Sequence, residues 1–158
     1  MPTPHYARIR SFMQMAGQDT PESPSVPDDR TRVLRAKLIL EEALETVSAL
    51  GVDVHLHHKG GPPATLTAPD AHLVFEAQGE VDLEGVVDGC ADISVVTIGT
   101  LISFGVDDEP ILEEVDSANL RKFGPGGGVR EDGKWMKPPD WTPPDILGVI
   151  GRQGEIAV

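Results

Sequence analysis

The chain has a single cysteine, Cys90, one tyrosine and two tryptophans among its 158 residues, and aromatic residues make up only 4% of it. One cysteine excludes a disulfide framework and a thiolate metal site, and it fits a reducing, cytoplasmic setting. With aromatics scarce and hydrophobic residues at 39%, the core must be packed by aliphatics, as in a helical bundle. Basic residues are missing by region: between Lys59 and Arg121 there is no lysine or arginine, against thirteen Asp and Glu. A formal net charge of −13 and a pI near 4.6 leave no basic stripe to displace counterions, which argues against nucleic-acid binding. Long apolar runs are also lacking. The longest, Ile93 to Val106, is interrupted by Ser, Thr and Gly and is too short to span a bilayer, and no signal peptide opens the chain, so no membrane is expected as a partner.

Against these absences stands an excess of carboxylates in helical register. In LRAKLILEEALETVSAL, residues 34–50, the spacing places Leu34, Leu38, Glu41 and Glu45 in one stripe with Glu42 on its flank. Val33, Ala36, Leu40, Ala43, Leu44 and Val47 form a second apolar face, so this helix is expected to be central and covered on both sides. In residues 83–104, Asp88 and Asp92 lie i, i+4 in a stripe continued by Val95, Gly99 and Ile102. Acids that only formed a solvated face would not extend apolar stripes. Burying unpaired carboxylates together is costly and raises their pKa values unless a cation neutralises them. Oxygen-only ligands suit a hard divalent ion, so Mg²⁺, with Mn²⁺ as a substitute, is the economical cofactor.

The remaining elements can be read from punctuation. Tyr6, Ile9, Phe12, Met13 and Ala16 repeat at helical spacing over residues 5–16, and Gly17 stops that helix. A proline-rich connector covers 18–27. Asp28 or Asp29 caps the central helix, predicted over about 29–50 with Gly51 as its stop. Residues 52–81 form an insertion in which two alternating segments flank turn signals, predicting a small hairpin or loose lobe; His55, His57 and His58 read as surface histidines there. Asp82 caps the second acidic helix, which ends at Phe104 with Gly105, and Cys90 reads as a small hydrophobe inside it. Acids and Pro110 open a further helix closed by Arg121 and Lys122, as the macrodipole favours. Asn119 and Lys122 form an i, i+3 polar pair. Five of the thirteen basic residues, Arg121, Lys122, Arg130, Lys134 and Lys137, fall within 121–137 around Gly124–Pro125–Gly126–Gly127–Gly128, which reads as an anion clamp. Residues 124–158 continue as a tail with one short helix from Asp145. Trp135 and Trp141 suit either base stacking or packing of that tail.

The ordered combination of EExxE at Glu41–Glu45, the DGCAD helix, SANLRKFG and REDGKWMKPPDWTPPDI resembles the MazG-like all-α nucleoside triphosphate pyrophosphohydrolases, above all the short phage-type and dUTPase-like members. The resemblance covers nearly the whole chain as a single domain, 1–158. It implies an antiparallel bundle of four to five helices, a homodimer or dimer of dimers, and Mg²⁺-dependent hydrolysis of a nucleoside triphosphate, a pyrimidine dNTP favoured, to monophosphate and pyrophosphate. By position it implies Glu42, Glu45 and Asp92 as metal ligands, Glu41 as the acid that positions or deprotonates the attacking water, and Asn119 and Lys122 as nucleotide contacts. The family often has an acid three residues before Asp92, where this chain has Gly89, and Asp88 is the nearest substitute. Arg130, Lys134 and Lys137 join the substrate-binding set as basic residues of the clamp. Two other classes compete. An acidic interaction module would spread its acids over an exposed face, and a phosphoribosyl-ATP pyrophosphohydrolase, which shares the chemistry and helices, is set against the 52–81 insertion and long tail.

Overall fold

The computed structural model describes residues 1–56, 73–77, 79–129, 131 and 135–154. Among them are five α-helices: α1 (Pro4–Met15), α2 (Asp29–Ala49), α3 (Leu83–Ser103), α4 (Asp108–Leu120) and α5 (Ile146–Gln153). Two antiparallel strand pairs accompany them, β1 (Val52–Leu56) with β2 (Leu73–Ala77) and β3 (Gly128–Val129) with β4 (Trp135–Met136). The class is all-α, of the helical-bundle kind. The predicted hairpin in the insertion is present, with Val52 opposite Ala77 and Leu56 opposite Leu73.

Helix ends follow the local chemistry. Asp28 Oδ1 accepts from Thr31 N–H (2.8 Å) to cap α2, Asp82 Oδ1 accepts from Gly85 N–H (3.1 Å) to cap α3, and Asp145 Oδ1 accepts from Gly148 N–H (3.0 Å) to cap α5. Gly51 and Gly105 leave α2 and α3 at φ +69° and +67°, a left-handed step that a side chain would strain. The predicted basic last turn of α4 is instead a separate 3₁₀ turn, Arg121–Phe123, carrying Arg121 and Lys122.

The chain divides into two compact units. The first comprises residues 1–33 and 97–158 and is built on buried Tyr6, Ile9, Met13, Ile102, Val106, Ala118 and Val149. Phe12, placed with the α1 core by its spacing, is exposed, because the buried arc of this short helix is narrow enough for Tyr6, Ile9 and Met13 to fill it. Asp108 is fully buried at the start of α4. Its carboxylate accepts from the backbone N–H groups of Thr3 and Glu109 (both 2.9 Å) and from the Thr3 hydroxyl, so the charge is met by donors on two segments. Burial, and next the charge of Asp107, push the Tyr6 hydroxyl pKa up.

The second unit, residues 34–96, holds most of α2, the β1–β2 hairpin and most of α3. Here α2 and α3 run antiparallel in close contact. A Cβ on Gly85 would meet the Ala49 methyl at 3.1 Å, and one on Gly89 would meet Thr46 Oγ1 at 2.2 Å and Thr46 Cα at 3.2 Å. Two glycines one turn apart thus set the approach of α3 to α2.

That approach corrects the face assignment of α2. Its inward stripe is Arg35, Leu38 and Ile39, Glu42, Thr46 and Ala49, while of the second apolar face Ala43 and Val47 are half-buried and Val33, Leu40 and Leu44 are 55%, 58% and 51% exposed, uncovered among the described residues. Cys90, next to Gly89, is likewise exposed rather than packed. By length and composition α3 could also cross a membrane, which the shorter apolar run did not suggest. Asp88 and Asp92 would sit within such a span, where charge is costly.

Candidate active site

The close packing at Gly89 fixes the carboxylates of the second unit. One turn before Thr46 on the α2 stripe comes Glu42, and about one turn after Gly89 on α3 comes Asp92; both are half-buried. Glu41, Glu45 and Asp88 lie at the margins of the same stripes and are exposed, a correction to the expectation that they are threaded into the core. The Thr46 hydroxyl donates to the Glu42 carbonyl (2.8 Å), so the residue beneath Gly89 is bound to the backbone that carries the acid.

The five acids predicted from two distant stretches are electrostatically one cluster. Glu42 is held above the usual carboxylate range, by desolvation first and then by the charges of Asp92, Glu45, Glu41 and Asp88 in that order. Among the described residues, no three Asp, Glu, His or Cys side chains already converge as a metal cage. The donor set is carboxylate oxygen throughout, which matches Mg²⁺ or Mn²⁺ and does not match a soft ion.

Gly89 is also the position three before Asp92. A side chain there would run into Thr46. Arg35 was missed by sequence reasoning: it is buried on the inner stripe two turns before Glu42, and burial lowers its guanidinium pKa. The signal for it was an arginine at heptad spacing from an acid.

In the first unit, Lys122 Nζ donates to Asn119 Oδ1 (2.7 Å), so the predicted polar pair is formed. Lys122 and Lys137 both lie over the Trp141 ring, their nitrogens 5.9 and 3.9 Å from its centroid. Arg121 is engaged elsewhere, with Ser117 Oγ (2.9 Å), the Thr142 carbonyl (3.5 Å) and Glu114 (3.6 Å). Arg130, Lys134, His57 and His58 lie outside the described residues, as does the side chain of His55.

A family model described as phosphoribosyl-ATP pyrophosphohydrolase matches residues 9–119, well over half of the chain. The chain belongs to the phosphoribosyl-ATP pyrophosphohydrolase family. No curated protein matches it in sequence. Membership makes it an enzyme, a hydrolase acting on phosphoric anhydrides, and agrees at the coarser level with the MazG-like resemblance. The family match runs through the 52–81 insertion, which therefore does not count against this family. It takes in all five clustered acids and ends at Asn119, leaving Lys122, the basic segment and the tail beyond it.

Proposed function

We propose that this pyrophosphohydrolase breaks the α–β anhydride bond of a nucleoside triphosphate group, releasing pyrophosphate and leaving a monophosphate. What carries this reading is the family match over residues 9–119, because it spans both acidic helices. The raised Glu42 carboxyl supports it: an acid opposed by four others is poised to gain from a cation.

In this reading Glu42, Glu45, Asp88 and Asp92 hold Mg²⁺. When bound, the ion supplies charge neutralisation for phosphate oxygens and for the departing pyrophosphate. Glu41, exposed and next to Glu42 in the chain, accepts the proton of the attacking water, the role that the resemblance implies for it. Water oxygen bonds to the α-phosphorus as the bond to the bridging oxygen breaks, and that oxygen's electron pair leaves with pyrophosphate. Asn119, Lys122, Arg130, Lys134 and Lys137 bind the substrate's phosphates and offset their charge.

Phosphoribosyl-ATP is the first substrate to test, because it is the one the matching family is described by. A dNTP, pyrimidine favoured, is the second, supported by the resemblance of the ordered motifs, taken together, to the dUTPase-like members. The test is a panel of phosphoribosyl-ATP, NTPs and dNTPs with Mg²⁺, scored for pyrophosphate against orthophosphate. Pyrophosphate from at least one compound is expected, and orthophosphate alone contradicts the proposal.

A further inference from the structure

Trp141 sits beyond the family match, yet it is tied back to α4. Its indole N–H donates to the Ala118 carbonyl in the last turn of α4 (2.7 Å), and its backbone N–H donates to the Pro138 carbonyl (3.1 Å). Ring and turn are thus tied to the end of α4, on the residue before Asn119. Two ammonium groups are drawn to that ring, Lys137 at 3.9 Å and Lys122 at 5.9 Å from its centroid, and Asn119 Oδ1 also accepts from Lys122. Cations gathered at one aromatic ring repel each other, and the ring quadrupole offsets part of that cost. An anion with several charges offsets the rest.

A cleft of about 430 Å³ opens beside the ring, lined by Leu120, Phe123, Pro125, Pro138, Asp140 and Arg121. A nucleobase stacked on Trp141 would have to displace Lys137 from it. Arg121 is held by Glu114, Ser117 and Thr142, which leaves Lys122 and Lys137 as the described cations at the ring.

We propose that Trp141 is a positioning residue that holds Lys122 and Lys137 together as a binding site for a polyphosphate chain at the end of α4. This rests on the reading above that both lysines meet the phosphates of the substrate. It adds that their placement depends on a tail residue outside the family-matched region.

The test uses the full chain with Trp135→Phe, which leaves Trp141 as its only tryptophan. Titration with inorganic tripolyphosphate should give a saturable change in Trp141 emission as the ammonium groups turn from the ring to the anion. In Trp135→Phe/Lys137→Met the midpoint should rise about tenfold, the loss of one charge-assisted contact. No saturable change, equal midpoints, or the same change with a phosphate-free nucleoside overturns the proposal. If Trp135→Phe misfolds, the split between KM and kcat in the otherwise unaltered chain decides. Trp141→Ala should raise KM about tenfold with kcat nearly kept, and Trp141→Phe should recover most of that loss. An unchanged KM in Trp141→Ala overturns the site. The titration needs no turnover, so a substrate panel that yields no pyrophosphate sinks the functional reading and leaves the titration to decide this one.

Discussion

Gly89 and Glu42 show how much of the site is decided by single residues. The missing Cβ at 89 lets Thr46 close on α3, and the closeness puts Glu42 within the field of Asp88 and Asp92. Gly89→Ala should therefore destabilise the fold by about 1–3 kcal/mol, read as a lower denaturation midpoint, because the new methyl overlaps Thr46. A neutral effect would mean the helices are not packed at this point. Glu42→Gln removes a charge from a crowded set while keeping side-chain volume, so it should raise the melting temperature in metal-free buffer. The sign follows from the raised pKa: a carboxyl that binds its proton more tightly when folded contributes stability below its unfolded pKa, lost as pH rises through the folded one. The glutamine chain should lack that loss. Glu41→Gln should lower kcat about 10²–10⁴-fold while Mg²⁺ and nucleotide still bind, as loss of a proton acceptor does. Loss of metal binding in calorimetry would instead make Glu41 a ligand.

Among the elements, α2 carries the most contrasting faces. Its inner stripe bears Arg35, Glu42 and Thr46, whereas the uncovered Val33, Leu40 and Leu44 continue along the outside. Apolar surface of that kind marks an interface, and we propose a homodimer or dimer of dimers covering this face. Leu40→Lys with Leu44→Lys should shift the solution mass to the monomer, and a monomeric wild-type mass at micromolar concentration contradicts the proposal. The start of α2 gives a pH test. The Asp28 carboxylate is stabilised by its hydrogen bonds from Thr31, which lower its pKa, so its contribution is present above the unfolded pKa and lost as pH falls through the folded one. In Asp28→Asn this part of the acid-side loss of stability should vanish. Helix limits were legible because aspartate caps and left-handed glycines act locally, at Asp28, Asp82, Asp145, Gly51 and Gly105. The five acids were legible because their spacing is local too. The faces were not. Periodicity cannot tell which of two apolar arcs meets a neighbour in the same chain, so Glu42 was placed on the flank and Leu40 and Leu44 under cover. Arg35 was overlooked because a charged residue is normally solvated.

For the whole molecule, the five acids of the candidate site belong to the second unit, while the Lys122–Lys137 cluster belongs to the first. Mg²⁺ or Mn²⁺ should raise the melting temperature, and EDTA should reverse it, because the unfolded chain offers no gathered carboxylates. A curve indifferent to millimolar divalent ions would favour a merely solvated acidic face. Glu45→Gln and Asp92→Asn should abolish that metal-dependent rise together with turnover, leaving the metal-free fold at least as stable. What distinguishes this enzyme from an ordinary phosphatase is the bond it breaks, and hydrolysis in ¹⁸O-water reads that bond directly. The label should appear in the monophosphate product with pyrophosphate unlabelled; label in pyrophosphate, or release of orthophosphate with a diphosphate product, contradicts attack at the α-phosphorus.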